Sequence, residues 1–228
     1  MDLYQYETHL HTKEASACAQ TSGVDHVRGY KGAGYTGIIV TDHFFNGNSC
    51  VPKNLPWAKR VDLLYRGYEN AKEEGDRIGL SVFFGWESNY RGTEFLIYGL
   101  DNLWLKNHPE ILSWSIEEQY QKVHASGGLV VHAHPFRACS YIPEVRLFPD
   151  QVDAVEAINF RNQSNEFNDK AIAYAEKYKL PIIAGTDAHG DENSHSGVAF
   201  GHKIKDIKDF IESIRTGGYE LIRKESHT

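Results

Sequence analysis

The sequence predicts an α/β fold in which parallel strands, with helices outside, form a closed or nearly closed barrel. Seven short apolar segments rich in β-branched and aromatic residues predict buried strands. Stretches with helix-like spacing separate most of them, and this alternation is typical of a parallel sheet covered by helices. About seven strands favour a barrel over a doubly wound sheet, but the pattern alone leaves both architectures open.

The predicted strands cover, in chain order, residues 4–8, 37–41, 80–85, 95–100, 129–133, 154–158 and 181–185. The predicted helices cover residues 24–34, 57–78, 115–127, 166–179 and 206–216. Ser115, followed by Glu118 three residues later, is a capping-box signature for the start of one helix, and Gly127-Gly128 is a stop signal for its end. Because no linker or low-complexity segment interrupts this pattern, residues 1–228 are expected to form a single domain.

Composition and charge exclude several classes of protein. The net charge is −7 and no Lys/Arg run is present, which argues against an extended nucleic-acid-binding surface. The three cysteines have no CxxC spacing, so a disulfide framework is not expected. The chain has neither a secretory signal nor an apolar run of about 18 residues. A cytoplasmic protein without a membrane segment is therefore expected.

Residues of metal-ligand type cluster where five of the predicted strands end. The sequences at these ends are HLH, TDH, GWE, HAH and TDAH, and they contain His9, His11, Asp42, His43, Glu87, His132, His134, Asp187 and His189. In a parallel barrel the carboxyl ends of the strands meet at one rim, which is where active sites of such barrels lie. The pattern therefore predicts that these side chains converge.

The spacing within each motif also suits metal binding. Side chains alternate along a strand, so His9 and His11 are expected to share a face, as are His132 and His134. Pro135 is expected to hold His134 in an extended conformation. Imidazole and carboxylate ligands suit Zn²⁺, Mn²⁺ and Fe²⁺. There are too many ligands for one ion, and a shared carboxylate such as Glu87 could bridge two ions about 3.5–4 Å apart.

With these motifs, the sequence resembles the PHP family, named for its polymerase-associated and histidinol-phosphatase members. The resemblance extends from about residue 7 to residue 201 and rests on HLHT, TDHF, GWE, VHAHP and GTDAH in the family's order. It implies a distorted seven-stranded barrel and a site for two or three divalent metal ions. The resemblance also implies that the protein is a metal-dependent phosphoesterase.

The resemblance implies an assignment for each ion. The first would take His9, His11, Asp187 and a bridging Glu87, and the second would share Glu87 and take His134. The third would take His43 and His189 with one residue of the KEASACA loop that follows the HLHT motif. Glu14 is the first choice for that residue and Cys18 the alternative. Leu96 stands where many relatives have a histidine, so the second ion lacks one ligand. His132 either supplies that missing ligand or supports the ligands by hydrogen bonding without binding the metal itself.

The expected reaction is hydrolysis of a phosphate ester, in which metals polarise the phosphoryl oxygens and activate water. Glu87 and Asp187 are the predicted catalytic carboxylates, and Arg137 is the predicted phosphate clamp, with Arg161 as a weaker candidate. Asp42 is expected to orient a ligand histidine. His195 is a candidate proton donor to the leaving group, although an exposed loop histidine is the simpler interpretation.

Three functions remain open on the sequence alone. The first is a phosphatase for a small phosphomonoester, similar to histidinol phosphatase. The second is a phosphodiesterase or exonuclease that acts on nucleotides or short oligonucleotides. The third is a metal-binding PHP module without catalytic activity. The compact chain and the absence of a basic groove favour a small phosphorylated substrate.

Overall fold

The computed structural model describes residues 3–140, 142, 144–191 and 196–223. In chain order the strands are β1 (Tyr4–Leu10), β2 (Gly37–Val40), β3 (Ser81–Tyr90), β4 (Thr93–Tyr98), β5 (Leu129–Ala133), β6 (Ala154–Asn159), β7 (Ile182–Gly185), β8 (Ser196–Phe200) and β9 (Tyr219–Arg223). The helices are α1 (Gly23–Gly32), α2 (Trp57–Ile78), α3 (Asn102–Lys106), α4 (Ile116–Ala125), α5 (Asn165–Tyr178) and α6 (Ile207–Thr216), with a 3₁₀ helix at Pro109–Ser113. The predicted capping box of Ser115 and Glu118 begins α4.

All the strands belong to one sheet, with the order β7-β6-β5-β4-β3-β2-β1-β8-β9. The first seven strands correspond to the seven predicted ones, and the α/β barrel fold is confirmed. Two parts of the prediction are wrong. Strands β8 and β9 were not predicted, and the sheet is not wholly parallel, because β4 runs antiparallel to both of its neighbours and β8 runs antiparallel to β1 and β9.

A two-residue turn explains the reversed direction of β4. Arg91 and Gly92 join β3 to β4 with φ angles of 53° and 91°. Two successive positive φ angles are typical of the tight turns that connect antiparallel strands, and glycine adopts this conformation without a steric penalty. No helix fits between these strands, so β4 folds back along β3, with Glu87 paired to Leu96.

Backbone contacts just beyond β7 close the barrel. The sheet does not pair β7 with β1 along their length, but Leu10 forms a parallel bridge with Ala188. The amide of Asp187 donates to the carbonyl of His9 at 2.7 Å, and the amide of His11 donates to the carbonyl of Ala188 at 2.8 Å. The barrel is therefore nearly closed, and its closing contacts lie among the residues of two ligand motifs.

A β-bulge near the end of β1 determines which way its histidines face. Between Glu7 and Leu10, β1 advances three residues while β2 advances only two, from Ile38 to Val40. Glu7 and Leu10 both contact the helix layer, where Glu7 binds the hydroxyl of Tyr30 and Leu10 packs in the same cluster. An extra residue in a strand reverses the alternation of its side chains. As a result, His9 faces the barrel interior.

Apolar side chains fill the barrel interior and the spaces under the helices. Tyr6, Ile39, Leu96 and Ile183 belong to one buried cluster, into which α6 inserts Phe210. Separate clusters lie beneath α1 and α2 and beneath α5. In the part of the chain that the structure describes, no helix is both long and apolar enough to cross a bilayer.

Candidate metal centre

The structure brings together seven of the predicted metal ligands at one mouth of the barrel. Their donor atoms form overlapping groups in which every atom lies within 4.8 Å of the others. These residues are His9, His11, His43, Glu87, His134, Asp187 and His189. All are buried except His189, which is partly exposed. Five separate chain segments contribute, as the strand-end pattern predicts.

The first group has the spacing of a tetrahedral metal site. The Nε2 atoms of His9 and His11 are 3.0 Å apart, and the Nε2 atom of His11 is 3.2 Å from Oδ1 of Asp187. Oε1 of Glu87 lies 3.3 Å from Nε2 of His9. Ligand distances of about 2.0–2.1 Å around a tetrahedral ion separate the ligand atoms by roughly 3.3 Å. His9, His11 and Asp187 thus form one cluster of possible ligands, and Glu87 adjoins it through His9.

Hydrogen bonds behind the two histidines define which ring nitrogen faces the site. Nδ1 of His9 lies 2.9 Å from Oε1 of Glu156, which can only accept when ionised. Ser16 donates its hydroxyl proton to Asp42, so Nδ1 of His11, 3.3 Å away, is the donor to Ser16 Oγ. When both rings are neutral, their Nε2 lone pairs therefore converge. Two converging lone pairs repel unless a cation lies between them, and this donor set fits a divalent metal.

The third group contains His11, His43 and His189, and a cysteine adjoins it. The ring centroid of His11 is 4.1 Å from that of His43 and 4.3 Å from that of His189. Burial raises the pKa of the Cys18 thiol, but its hydrogen bonds to His189 and His43 outweigh this and lower the pKa to about 6. A thiol held in this way is a soft ligand suited to Zn²⁺.

Glu14, the first choice for the loop ligand, is not part of this cluster. Its carboxylate oxygens lie 3.3 Å from the amide of Gly23 at the start of α1, and Oε1 lies 3.2 Å from Nδ2 of Asn70. The negative charge at this position interacts favourably with the helix N-terminus. The loop directs Ser16 and Cys18 toward the histidines instead.

The second group is built around Glu87 and His134. It is adjoined by Glu94, a residue that was not predicted and that also lies in a cluster of possible ligands with Glu87 and His43. Nε2 of His134 lies 3.3 Å from Oε1 of Glu87 and 3.6 Å from Oε2 of Glu94. The expected extended conformation of His134 is wrong, because its φ angle is 29°. This left-handed turn, directly after β5, swings the imidazole into the mouth. Asp187 also has a positive φ angle, 59°, and strained ligand residues of this kind cluster at functional sites.

His132 lies outside the metal cluster. It pairs with Phe95 across β4 and β5, and its ring stacks on that phenyl group with centroids 5.2 Å apart. Neither of its ring nitrogens has a hydrogen-bond partner among the described residues. The expectation that His132 and His134 share a face fails because the chain leaves the strand geometry at His134. His132 is a buried aromatic residue behind the sheet.

The buried charges of the site are mutually dependent. Burial alone would raise the pKa of Glu87, but the positive charges of His9 and His43 hold it well below its usual range. Likewise, His9 and Arg137 overcome burial and hold the pKa of Asp187 well below its usual value. In His11, burial and then the charges of His43 and His189 lower the pKa. Deprotonated carboxylates and a neutral imidazole are the ionisation states that metal binding requires.

Arg137 belongs to the wall of the site and binds one of the proposed ligands. One guanidinium nitrogen lies 2.7 Å from Oδ2 of Asp187, another donates to Oδ1 of Asn159 at 2.7 Å, and Nε donates to Oδ1 of Asn162 at 3.0 Å. The side chain of Arg137 therefore orients Asp187 in addition to lining the mouth. Asp42, expected to contact a histidine, instead binds Thr12 and acts on His11 through Ser16.

Glu156 is the most important site residue that the sequence prediction missed. It lies in the middle of β6, where a second bulge between Glu156 and Ile158 brings Asn159 to the same side of the strand. Nδ2 of Asn159 donates to Oε2 of Glu156 at 3.0 Å. A glutamate inside the otherwise apolar segment AVEAI is a signal that could have identified it, because a buried carboxylate needs partners. Glu94 was missed because its strand was predicted to begin at Phe95.

A cavity of about 640 Å³ opens above the metal cluster. His43, Glu87, Glu94, Asp187 and His189 form part of its wall. Arg137, Arg161 and four amide side chains, Asn46, Asn48, Asn89 and Gln163, line it as well. A volume in this range suits a small molecule. His195, the candidate proton donor, lies outside the described residues.

A mouth with this many converging imidazole and carboxylate groups defines a metal-binding α/β barrel, and comparisons with known proteins specify its family. Residues 165–218 match the family PHP_C, described as PHP-associated. An uncharacterized protein of Methanocaldococcus jannaschii, MJ0417, is 38% identical over 199 residues, which is 78% of this chain and 74% of that protein. The chain belongs to the PHP family.

Solved structures support the fold. A two-domain Bacteroides vulgatus protein containing a predicted PHP-like metal-dependent phosphoesterase superposes with a TM-score of 0.73 at 12% identity over 97% of this chain. The chain spans only 65% of the length of that protein. An amidohydrolase from Chromobacterium violaceum, with bound sulfate and no metal, superposes with a TM-score of 0.59 at 13% identity, covering 96% of this chain and 97% of that one. Identities this low support the fold alone.

Proposed function

We propose that this PHP-family protein is a metal-dependent hydrolase of phosphoric esters and that its substrate is a small phosphomonoester. The observation that carries the proposal is the combination, in one cavity, of a metal-ligand cluster and the guanidinium of Arg137, whose nitrogen lies 2.7 Å from Asp187. Phosphate monoesters carry negative charge on several oxygens. Cations together with a planar guanidinium group are the partners that recognise such oxygens best.

Three metal groups are proposed. His9, His11, Glu87 and Asp187 hold the first ion, and Glu87 and His134 contribute to the second. His43, His189 and Cys18 hold the third, with His11 close enough to share. Divalent ions such as Zn²⁺, Mn²⁺ or Fe²⁺ supply electrophilic activation of phosphoryl oxygens and of water when bound. Glu87 and Asp187 serve this chemistry as ionised carboxylates whose negative charge is retained at neutral pH.

The remaining residues bind and orient the substrate. Arg137 already donates to Asp187, Asn159 and Asn162, so its guanidinium plane is held rigidly at the cavity wall. A preorganised guanidinium loses little conformational entropy when it binds a phosphate. Arg161 lines the same cavity and adds a second positive charge. The amide side chains offer hydrogen bonds to a polar, uncharged part of the substrate.

The cavity dimensions favour a small substrate over a polynucleotide. Its volume of about 640 Å³ accommodates a compound of drug-like size. Among its described lining residues, Arg137 and Arg161 are the only arginines or lysines. A long nucleic acid needs a row of such residues to neutralise successive phosphates. A nucleotide or dinucleotide would still fit, which leaves a diesterase activity as the second candidate.

A substrate panel tests the proposal directly. The protein is assayed with p-nitrophenyl phosphate, bis-p-nitrophenyl phosphate and histidinol phosphate after loading with Mn²⁺, Zn²⁺ or Fe²⁺. Turnover of the monoesters supports the proposal, and selective turnover of the diester would favour the second candidate. No turnover by protein that demonstrably contains metal would favour a binding module without activity.

Asp187→Asn provides the matched variant, and the exposed Asp76→Asn is its control, since Asp76 pairs with Lys72 in the i,i+4 position on α2. The Asp187 variant should lose activity at least about 100-fold, because it weakens metal binding and releases Arg137. The control should keep wild-type activity. An active Asp187 variant would contradict the role given to this carboxylate.

A further inference from the structure

The second metal group differs from the other two in the chemistry of its donors. The first group offers two imidazoles with the carboxylates of Asp187 and Glu87, and the third offers imidazoles and a thiol. The second group, by contrast, combines the imidazole of His134 with the carboxylates of Glu87 and Glu94, whose oxygens lie 3.3 Å and 3.6 Å from its Nε2 atom. The two carboxylates also form one cluster of possible ligands with His43. The three groups therefore form a gradient from nitrogen and sulfur donors to oxygen donors.

The register of β4 explains why a glutamate reaches this site. Leu96 pairs with Glu87 on β3 and with Val131 on β5. Its side chain belongs to the barrel-filling cluster with Tyr6 and Ile39. Glu94 lies two residues nearer the mouth and so projects to the same side of the strand as Leu96. Leu96 seals the floor beneath the metal cluster, and Glu94 supplies the polar group at the level of His134.

Contacts hold the Glu94 carboxylate toward the site. It is buried, with 6% of its surface exposed. Oε1 accepts a hydrogen bond from Nδ2 of Asn89 at 3.2 Å, which directs Oε2 to within 3.6 Å of Nε2 of His134. Oε2 of the adjacent Glu87 is buried and lies 2.7 Å from Nδ1 of His43. Two buried carboxylates at one mouth repel each other unless positive charge lies between them, which protonated imidazoles or a bound cation can supply.

His132 does not replace Glu94 as the fourth side chain of this group. His132 pairs with Phe95, the residue between Glu94 and Leu96, so it projects from the opposite face of the sheet. Its ring lies among Phe95, Phe148 and Tyr174. Within the described part of the chain, Glu94 is the residue that gives the group around Glu87 and His134 its second carboxylate.

We infer that Glu94 is a metal ligand and that the site formed by Glu87, Glu94 and His134 selects Mn²⁺ over Zn²⁺ relative to the two histidine-rich sites. Carboxylate oxygens suit Mn²⁺, whereas imidazole and thiolate suit Zn²⁺. Zn²⁺ binds most sites of this kind more tightly than Mn²⁺ in absolute terms, so the selectivity is a difference between sites. The protein is therefore expected to bind two kinds of metal at once when both are supplied.

Metal content tests this inference without requiring turnover, although the inference rests on the proposed metal-dependent function. Metal-free protein is prepared by dialysis against a chelator and incubated with equal, limiting concentrations of Mn²⁺ and Zn²⁺. After desalting, elemental analysis gives the ions of each kind bound per chain, and the Mn²⁺ electron paramagnetic resonance signal gives the affinity. Circular dichroism and a thermal melt establish that each variant is folded.

Three variants separate the possible outcomes. Glu94→Gln should bind one ion fewer per chain, with its Mn²⁺ dissociation constant raised by roughly 10- to 100-fold or more. Glu94→His should keep the number of ions but replace Mn²⁺ by Zn²⁺, because it adds an imidazole donor. Glu69→Gln, on the exposed side of α2, should behave like the wild type. The His variant also serves if the Gln variant does not fold.

Two results would overturn the inference: a Gln variant that retains the full Mn²⁺ complement with unchanged affinity, or a His variant with an unchanged ratio of the two metals. Failure of the proposed function gives a different pattern. A protein that turns over no phosphate ester, yet loses one Mn²⁺ when Glu94 is changed, has the metal site without the hydrolase activity. If the wild type hydrolyses phosphate esters but the Gln variant binds the same number of each metal as the wild type, the proposed activity stands and Glu94 is not a ligand.

Discussion

Nδ1 of His9 lies 2.9 Å from Oε1 of Glu156, and this contact begins a chain of polar side chains that encloses the first metal group. Glu156 accepts from Asn159, Asn159 accepts from Arg137, and Arg137 donates to Asp187. Both ends of the chain, His9 and Asp187, are proposed ligands of the same ion. The partners behind metal ligands set ligand orientation and basicity, so changes at Glu156 should be detected at the metal.

Replacing Glu156 by Gln tests this chain. The amide oxygen can still accept from Nδ1 of His9, but the negative charge that favours a basic ligand is lost. We expect affinity for the first ion to fall by about 10-fold or more. Titration of metal into the apo protein against a competing chelator measures the change. Glu117→Gln on the exposed start of α4 is the control, and equal affinities for the two variants would refute the role of Glu156.

Gly185 makes the contact between Glu156 and His9 possible. A Cβ atom there would lie 2.3 Å from Oε1 of Glu156 and 2.8 Å from Cβ of His9. Gly185→Ala must therefore displace one of them, and we expect weaker metal binding with a loss of about 1–3 kcal/mol in the free energy of unfolding. Denaturant titration and metal analysis measure the two effects.

Gly32→Ala is the control for this substitution. Gly32 ends α1, and a Cβ atom added there has no neighbour within 4 Å. We expect unchanged metal content and a stability equal to or up to about 1 kcal/mol greater than wild type, since alanine favours helix. If both glycine variants bound metal like the wild type, close packing at Gly185 would not control the site.

Arg137→Lys separates orientation from charge. Lysine keeps the positive charge but cannot contact Asp187, Asn159 and Asn162 with one rigid group. We expect kcat/KM for a phosphomonoester to fall by about 10- to 100-fold, equivalent to about 1.4–2.8 kcal/mol. A rise in KM with full metal content would indicate phosphate binding, whereas loss of metal would indicate that Asp187 is misplaced. Exposed Arg66→Lys is the control, and unchanged kinetics would exclude both roles for Arg137.

His132→Leu should alter the pH dependence of stability and leave the metal site intact. Burial, and then the charge of His134, lower the pKa of His132 to about 3. Between that pH and the ordinary pKa of about 6.5, the unfolded chain binds a proton that the folded chain does not. The free energy of unfolding therefore falls with decreasing pH, by up to about 1.4 kcal/mol per unit.

The leucine variant lacks this proton uptake, so its stability relative to wild type should increase as the pH is lowered from 6.5 toward 4.5. Urea denaturation at several pH values measures the difference. Its metal content should equal that of the wild type, because His132 lies on the far face of the sheet. A variant that lost one metal ion would identify His132 as a ligand after all.

Metal removal should destabilise the protein. Ions that bind only the folded state stabilise it by about 2.7 kcal/mol at a concentration 100 times the dissociation constant. For a chain of 228 residues this corresponds to a rise in Tm of roughly 5–10 °C. Differential scanning calorimetry of chelator-treated protein with and without Mn²⁺ measures the rise. An equal rise in Asp187→Asn would mean that Mn²⁺ acts elsewhere.

The sequence was sufficient to predict β1 to β7 and the cluster of possible metal ligands near their ends, because both depend on local pattern. Strands β8 and β9 were not predicted. The β8 segment is only five residues long and contains Gly197 with a φ angle of 144°, and β9 is a partly exposed edge strand. The direction of β4 was predictable in principle, since no helical stretch separates it from β3.

The site residues that the sequence prediction missed share one property: their positions depend on strand register and loop path, which no local motif encodes. Glu94 depends on where β4 begins, and Glu156 on a bulge in β6. Ser16 was missed, and Glu14 wrongly favoured, because the path of the loop after His11 follows from tertiary contacts. Only the backbone conformation of His134 was mispredicted, because its left-handed φ angle overrides the extended conformation that Pro135 favours.

The bulge of β1 has a consequence for how such proteins diverge. If β1 had no bulge and Leu10 paired one residue further along β2, the letters HLHT would be unchanged, but both imidazoles would face the helix layer and the leucine would face the cavity. A homologue could thus retain a perfect motif and have no metal centre. The pairing register of β1 therefore carries as much functional information as the histidines themselves.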